Sequence, residues 1–181
     1  MNKPYGIIVF GANGSGKTTL GRELARILNF KHMDIEDYYF RKSEIPYTNA
    51  RSQEECIELM LYDIKKHRTF VISAVTGGFG ETVPQFYKLA VLISVPKEIR
   101  MARIKRREIE RFGDRVLEGG DMYEQWQKFH DFVASRPLER IEKWAETLMC
   151  PILRIDGTKD YRKTATDIAA HYHNQMEKIK P

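Results

Sequence analysis

A glycine-rich stretch near the start of the chain has the residues and the spacing of a loop that holds phosphate. Residues 11–18 read GANGSGKT and fit the pattern G-x-x-x-x-G-K-[ST], between an apolar run and a helical pattern. The glycines let backbone N–H groups turn inward around a β-phosphate, and Lys17 is placed to reach the β- and γ-phosphate oxygens. Thr18 is expected to bind Mg²⁺ through its hydroxyl. The predicted nucleotide contacts in this loop are Gly11, Ala12, Asn13, Gly14, Ser15, Gly16, Lys17, Thr18 and Thr19.

Carboxylates follow the second apolar run of the chain. Asp34, Glu36 and Asp37 come directly after the run 30–33. The third run, 69–74, carries no acid at its end, unlike motor or AAA-type ATPases, and the signatures Asn-Lys-x-Asp of GTPases and Leu-Ser-Gly-Gly-Gln of transporter ATPases do not occur. We therefore expect the carboxylates to face the γ-phosphate and the group that attacks it.

Short β-rich apolar runs alternate with helical patterns, which favours a parallel sheet covered by helices on both faces. The 181 residues contain no repeat, low-complexity tract or Pro/Ser-rich linker, so a single domain over 1–181 is expected. We predict an α/β fold of three layers, α/β/α, with a five-stranded parallel sheet. The predicted strands are 6–10, 30–33, 69–74, 89–95 and 152–155.

One predicted helix carries aromatic residues and arginines on a single face. Its pattern runs from about 121 to 147, and six of its residues follow one another at steps of three or four. Two interpretations are open: the arginines pair with carboxylates at the rim of the core, or the face looks into a cleft that binds an anion. The six residues are Trp126, Phe129, Val133, Arg136, Arg140 and Trp144.

The positive charge of the chain is concentrated in one region. The formal net charge is +5, the pI is near 9.1, and the excess lies around 100–107. Such a cluster suits a bound polyphosphate as well as RNA. The apolar runs are too short to cross a bilayer and the first residues lack a signal peptide's apolar region, so a cytoplasmic protein is expected. Cys56 and Cys150 have no metal-ligand spacing and are expected to be reduced and buried.

These motifs resemble those of the small P-loop kinases of the adenylate kinase and shikimate kinase type, the nucleoside monophosphate kinase-like superfamily, over nearly the whole chain. Residues 33–37 are similar to the Asp-x-Asp stretch after the second strand of shikimate kinases. The resemblance implies that Asp34 helps to hold Mg²⁺ through water and that Glu36 or Asp37 orients or deprotonates the acceptor hydroxyl. It also implies a P-loop NTPase fold with a mobile lid over about 108–125 and an acceptor-binding helical segment over about 36–66.

Three further stretches carry the resemblance on the acceptor side. Residues 51–54 are similar to the family's Arg-x-x-Glu, whose guanidinium grips a substrate anion; a surface charge pair is the alternative. Residues 75–78 stand where shikimate kinases have three glycines, and Arg136 precedes a Pro-Leu pair as an acceptor-binding arginine of that family does. The implied acceptor contacts are Asp34, Asp37, Arg51, Gly77, Gly78 and Arg136.

The basic stretch 96–107 resembles the helix that leads into the lid of adenylate kinases. Arg103 and Arg107 lie one turn apart, where one arginine of that family stacks on adenine and the next reaches the phosphates. The other basic residues of this stretch are interpreted as a solvated face: Arg100, Lys105 and Arg106.

Two loops complete the implied nucleotide site. Breaks at Gly113 and at the pair Gly119-Gly120 flank the expected lid, which carries Arg115. The stretch 155–159 resembles the loop that lies against adenine in these kinases, with an ordinary Asp-Gly turn as the alternative. Its implied nucleotide contacts are Asp156, Gly157, Thr158 and Lys159, and the implied catalytic residues overall are Lys17, Asp34, Glu36, Arg107 and Arg115.

The residues and the resemblance predict a kinase that moves the γ-phosphate of ATP, with Mg²⁺, to a small-molecule acceptor. The acceptor is open among a nucleotide, a nucleoside, a hydroxy acid and an antibiotic, and the arginines favour an anion. The alternative is a nucleotide-dependent binding or regulatory ATPase that holds RNA on its basic cluster. Phe112 is the only aromatic residue within that cluster, which disfavours nucleic acid. No metal beyond Mg²⁺ and no membrane partner are expected.

Overall fold

One sheet of five parallel strands forms the centre of the protein. The computed structural model describes residues 3–179, and the strand order is β2-β3-β1-β4-β5. This confirms the predicted five-stranded parallel sheet, and the predicted bounds differ from the observed ones by at most two residues. The strands are β1 (Tyr5–Gly11), β2 (Lys31–Asp34), β3 (Thr69–Ala74), β4 (Tyr87–Ser94) and β5 (Ile152–Asp156).

Helices connect the strands and cover both faces of the sheet. Local chemistry sets where they begin: Glu55 N donates to the Ser52 hydroxyl at 3.1 Å and Ser52 N donates to the Glu55 carboxylate at 3.0 Å, which is a capping box. Short 3₁₀ helices occupy Val83–Phe86 and Gly113–Val116. The α-helices are α1 (Lys17–Leu28), α2 (Ile35–Tyr39), α3 (Gln53–His67), α4 (Lys97–Phe112), α5 (Tyr123–Ser135), α6 (Glu139–Ala145) and α7 (Tyr161–Ile179).

The single long helix predicted over 121–147 is wrong. Two helices, α5 and α6, replace it, and the chain between them is extended at Arg136, with φ −69° and ψ 122°. Pro137 explains the break, because its ring excludes the helical conformation for the preceding residue and it has no N–H to donate. The six residues predicted to share one helical face therefore lie on two helices and the turn between them.

Side chains of β1 alternate between two cores, one on each face of the sheet. Ile8 and Phe10 belong to the core covered by α3 and α6, whereas Ile7 and Val9 belong to the core covered by α1 and α7. A strand buried on both faces in this way is typical of a parallel sheet between helical layers. The predicted three-layer architecture is confirmed.

Two expectations from composition can be compared with the fold. Cys56 is buried as predicted, but Cys150 is only partly buried, so the prediction is wrong for that residue. Within residues 3–179, no helix is both long enough and apolar enough to cross a membrane.

The parallel sheet brings the predicted functional residues to one edge. The phosphate loop follows β1, Asp34 ends β2, α4 follows β4, and Asp156 ends β5 with residues 157–159 after it. Because all five strands run the same way, their carboxyl ends meet at this edge, and ligands of open α/β sheets bind there.

Trp144 is partly buried and packs against the core, so it does not extend the aromatic face predicted from the sequence. Its ring packs edge-on against Phe10 with 4.9 Å between centroids. A side chain at Gly77 would collide with Ile8, Tyr87 and Trp144. Gly77 is therefore required by packing beneath the sheet edge.

We predict that Gly77→Ala destabilises the protein by about 1–3 kcal/mol, because the added methyl group overpacks this contact. Equilibrium urea unfolding measures the change. Gly78→Ala is the matched control: its methyl group would approach only Trp144, at 3.3 Å, and its effect should stay within about 0.5 kcal/mol. Equal destabilisation by the two substitutions would contradict the packing explanation.

Candidate active site

The phosphate loop between β1 and α1 adopts a conformation that only glycine reaches easily. Gly14 and Gly16 have φ of 77° and 97°. At Gly14 space is restricted as well, because a Cβ would lie 2.5 Å from the Arg100 carbonyl oxygen of α4. The loop is therefore packed directly against the backbone of α4.

Lys17, the predicted phosphate ligand, is held on its own loop. Its Nζ donates to the Ala12 carbonyl oxygen at 2.9 Å. Desolvation lowers the pKa of Lys17 to about 8, against the opposing effect of the carboxylates of Glu36 and Asp34. A bound phosphate would replace the carbonyl as acceptor and favour the charged form of the lysine.

Thr18 and Asp34 form the oxygen pair that would hold Mg²⁺. The Thr18 hydroxyl donates to one Asp34 carboxylate oxygen at 2.7 Å, and the other accepts from Glu36 N at 3.1 Å, which caps α2. One carboxylate and one hydroxyl beside a phosphate site match the way Mg²⁺ is usually bound, together with substrate oxygens and water. The Ser15 hydroxyl of the loop is buried and has no hydrogen-bond partner within residues 3–179.

Arg100 is a buried support of the phosphate loop, so its interpretation as a solvated residue is wrong. It is 4% exposed. Its Nε donates to Val95 O and its Nη1 donates to Asn13 O, both at 3.2 Å. The guanidinium thus ties the start of α4 to the middle of the loop. Lys105 and Arg106 are exposed, as predicted.

Arg103, one turn further along α4, links the loop to the segment after β5. Its Nη2 donates to Gly157 O at 3.0 Å and its Nη1 to Ser15 O at 3.4 Å. Asp156 accepts hydrogen bonds from the Thr158 N–H and hydroxyl, at 2.9 and 2.7 Å. This is an Asx turn, which orders the segment, and Arg103 connects the segment to the phosphate loop.

A cavity of about 1140 Å³ surrounds the phosphate loop, and we call it the nucleotide cavity. Most of the predicted nucleotide contacts line it. Gly11, Ala12 and Thr158 lie outside the lining. The predicted residues that line it are Asn13, Gly14, Ser15, Gly16, Lys17, Thr18, Thr19, Asp34, Glu36, Asp37, Arg51, Arg103, Arg107, Asp156, Gly157 and Lys159.

A second cavity of about 610 Å³ adjoins the first, and we call it the acceptor cavity. Glu36 and Arg107 line both cavities. Gly78 and Arg136, two of the residues that the resemblance implied to contact the acceptor, line this second cavity, whereas Gly77 lies outside its lining. The nucleotide cavity and the acceptor cavity therefore meet at Glu36 and Arg107.

Glu36 and Asp37, which the sequence did not separate, occupy different environments. Glu36 is partly buried, and burial and the neighbouring Asp34 charge raise its pKa, against the lowering effect of Arg107 and Lys17. Asp37 is exposed and lines only the nucleotide cavity. Of the two acids, only Glu36 faces both cavities.

Two residues at this junction were missed by the sequence argument. Glu108 is 5% exposed and forms an ion pair with Arg107 at 2.7 Å. Tyr47 has φ 67°, a rare conformation for a residue other than glycine, and its hydroxyl accepts from Arg111 Nη1 at 3.0 Å. Glu108 stands within a charge run and Tyr47 within an irregular segment, so neither had a pattern that could have revealed it.

Arg51 anchors a helix in addition to lining the nucleotide cavity. Its Nη1 donates to the carbonyl oxygens of Tyr38 and Phe40, at 2.9 and 3.0 Å, and to Asp37 O at 3.2 Å. These contacts hold the C-terminal end of α2. Arg51 does not line the acceptor cavity, so its predicted contact with the acceptor is not supported by its location.

Arg115 lies outside both cavities, on the segment that the resemblance implied to be a lid. Its guanidinium pairs with Asp121 at 2.7 Å on the exposed 3₁₀ turn Gly113–Val116. The turn is closed by backbone hydrogen bonds from Gly120 N to Leu117 O and from Met122 N to Arg115 O, each at 2.9 Å. In this conformation residues 113–120 form a compact turn between α4 and α5.

The fold and this loop define the class: a P-loop NTPase with the architecture of the small kinases of the shikimate and adenylate kinase type. A gluconokinase from Sinorhizobium meliloti 1021 superimposes with a TM-score of 0.54 at 14% identity, covering 99% of this chain and 100% of the other. Shikimate kinase from Acinetobacter baumannii, in complex with shikimate, gives 0.53 at 18% identity, covering 99% and 97%. At these identities the likeness establishes the fold.

Sequence comparison identifies the family. Residues 7–118 match the family described as AAA domain, and the chain belongs to it. It is also 32% identical over 160 residues to the uncharacterized protein YqaC of Bacillus subtilis (strain 168), covering 83% of this chain and 87% of YqaC. The third strand of this chain, β3, ends without an acid, as the sequence indicated.

The low pKa of Lys17 predicts how nucleotide binding depends on pH. Phosphate requires the charged lysine, and in the free protein the charge is lost as the pH rises through about 8. The affinity for a fluorescent ATP analogue should therefore fall above this pH, towards about tenfold per pH unit. Fluorescence titrations between pH 7 and 10 measure it. Lys17→Arg keeps its charge throughout and should flatten the profile, so identical slopes for both proteins would contradict the assignment.

Proposed function

We propose that this protein is a kinase that transfers the γ-phosphate of ATP, with Mg²⁺, to a small-molecule acceptor. The observation that supports this most directly is the meeting of the nucleotide and acceptor cavities at Glu36 and Arg107. Hydrolysis needs space for one water molecule beside the γ-phosphate. A second cavity of about 610 Å³ at that point suits a bound co-substrate instead.

The charges around the phosphate loop suit phosphoryl transfer, which depends on alignment and on positive charge near the γ-phosphate. Lys17 would leave the Ala12 carbonyl for the β- and γ-phosphate oxygens. Arg107 lines both cavities. It would bind the same phosphate oxygens and give up part of its ion pair with Glu108. Thr18 and Asp34 would hold Mg²⁺, which neutralises the charge of the phosphates when bound.

Glu36 is the residue we assign to the acceptor. Among the described residues it is the carboxylate that lines both cavities, where it could accept a proton from an acceptor hydroxyl beside the γ-phosphate. In the reaction the acceptor oxygen forms a bond to the γ-phosphorus, the bond from that phosphorus to the β–γ bridging oxygen breaks, and ADP leaves with the electron pair. A proton released by an acceptor hydroxyl would pass to the Glu36 carboxylate.

Lys17→Ala should abolish transfer with little loss of stability, because the side chain makes one hydrogen bond to its own loop. Glu36→Gln should lower kcat about a hundredfold by removing the proton acceptor. Asp37→Asn is the matched control one residue away and should change kcat little. ADP release, with ATP and with GTP, is measured against nucleotides, nucleosides, hydroxy acids, sugars and antibiotics.

Two outcomes would contradict the kinase. One is transfer that survives Lys17→Ala. The other is slow ADP release that no acceptor changes, accompanied by polynucleotide binding that weakens steeply with salt, as expected of an RNA-binding regulatory ATPase.

We also propose that the 113–120 segment acts as a lid. Gly113 and Gly119 have positive φ of 56° and 87°, so each end of the segment has a glycine in a conformation that other residues rarely adopt. Closure would bring Arg115 towards the phosphates and exclude water.

Limited proteolysis measures the closure of this lid. A non-hydrolysable ATP analogue together with an acceptor should slow cleavage within 113–120, because closure would bury the exposed Leu117. Equal cleavage rates with and without these ligands would contradict a lid.

A further inference from the structure

The loop 41–50 between α2 and α3 lies at the junction of the nucleotide and acceptor cavities. Its base is closed by an antiparallel bridge between Phe40 and Ala50. Its middle contacts α5, because Gln125 Nε2 donates to Pro46 O at 3.3 Å. The loop is therefore held both at its base and where it crosses the junction.

Tyr47 lines both cavities from this loop. Its φ of 67° is rare for a residue other than glycine, and residues held in such conformations cluster at functional sites. Its ring packs edge-on against Phe40 with 5.2 Å between centroids, and its hydroxyl accepts from Arg111 Nη1 at 3.0 Å. These contacts hold Tyr47 in a conformation that its own backbone disfavours.

The hydrogen of the Tyr47 hydroxyl must point away from Arg111. A hydroxyl has one hydrogen to donate, and here its oxygen already accepts from the guanidinium. Burial, and then the negative charge of Glu36, raise the pKa of Tyr47, against the positive charges of Arg111 and Arg107. Glu108 also acts on Tyr47, but its carboxylate is paired with Arg107.

Glu36 is therefore the carboxylate that suits this hydrogen. Within the described part of the chain it forms no ion pair that would occupy its oxygens. It lines the same two cavities as Tyr47. A carboxylate that accepts a proton must present one oxygen to it in a fixed orientation, and a hydrogen bond to its other oxygen provides that orientation.

We propose that Tyr47 is a positioning residue for phosphoryl transfer: its hydroxyl donates to one oxygen of the Glu36 carboxylate and leaves the other to take the proton of the acceptor hydroxyl. The inference rests on the proposed kinase function and adds a residue to its proton-accepting site. Arg111 fixes the tyrosine in turn, at the end of α4.

The pKa of Glu36 measures this contact without any phosphoryl transfer. Burial and the charge of Asp34 raise it, whereas Arg107, Lys17 and hydrogen bonding by Tyr47 lower it. Tyr47→Phe keeps the ring and removes only the hydroxyl, so the pKa of Glu36 should rise by about one unit. A ¹³C NMR titration of the Glu36 side-chain carboxyl, with its resonance assigned by Glu36→Gln, measures the change.

Kinetics test whether Tyr47 acts through Glu36. With the acceptor that gives the fastest ADP release, Tyr47→Phe should lower kcat about tenfold with a smaller change in KM, as expected from the loss of one hydrogen bond. The acidic limb of the kcat profile should move to higher pH together with the pKa of Glu36. In a Glu36→Gln background the same substitution should change kcat by about twofold or less, because the two residues act as a unit.

Thr48→Val is the matched control in the same loop. It removes the hydrogen bond from the Thr48 hydroxyl to Ile45 O, which is 2.7 Å long, and Thr48 lines neither cavity. This substitution should move neither the pKa of Glu36 nor kcat. If it reproduced the effects of Tyr47→Phe, the order of the loop and not the tyrosine hydroxyl would be responsible, and the inference would be overturned.

The remaining outcomes separate this inference from the kinase itself. Transfer by Tyr47→Phe with an unchanged pKa of Glu36, or equal losses of kcat in the two backgrounds, would overturn the inference and leave the kinase standing. A raised pKa of Glu36 in Tyr47→Phe, without transfer to any acceptor by the unsubstituted protein, would overturn the kinase but support the contact between Tyr47 and Glu36.

Discussion

The packing of α4 against the phosphate loop is the contact on which the site depends. Gly14 has no side chain where the Arg100 carbonyl oxygen approaches, and the buried Arg100 guanidinium binds Asn13 O and Val95 O. A buried charge is stable only when carbonyl or carboxylate oxygens surround it, so these bonds leave the loop little freedom. Arg103 extends the same support to the segment after β5. The backbone that would surround a phosphate is thus fixed by an adjacent helix.

The side chains proposed to bind phosphate or Mg²⁺ are held by protein partners in the free protein. Lys17 rests on the Ala12 carbonyl, Thr18 on Asp34 and Arg107 on Glu108. A phosphate oxygen would replace the oxygen that accepts from Lys17 or pairs with Arg107, and Mg²⁺ would bind the Thr18 hydroxyl and Asp34 together. Electrostatic groups arranged in advance need little reorganisation when charge develops in a reaction, which is the most economical way to stabilise transferred phosphate.

The fold was largely predictable because its signals are local. Strands reveal themselves as short apolar runs, and the phosphate loop as glycines at fixed spacing. The errors arose where one local signal competed with another. The 3.6-residue pattern over 121–147 continued through Pro137, and the backbone rule for the residue before proline decided the outcome.

The sequence by itself determined the parallel α/β architecture, the phosphate loop with Lys17 and Thr18, and the presence of acids after the second strand. Only the tertiary structure decided that Arg100 is buried, that Trp144 packs against the core and that Arg115 pairs with Asp121. The physical reason is that burial and pairing depend on which elements meet, and residues far apart in the chain set that. The acceptor cavity has the same origin, because helices, loops and the sheet edge build it together and no single segment encodes it.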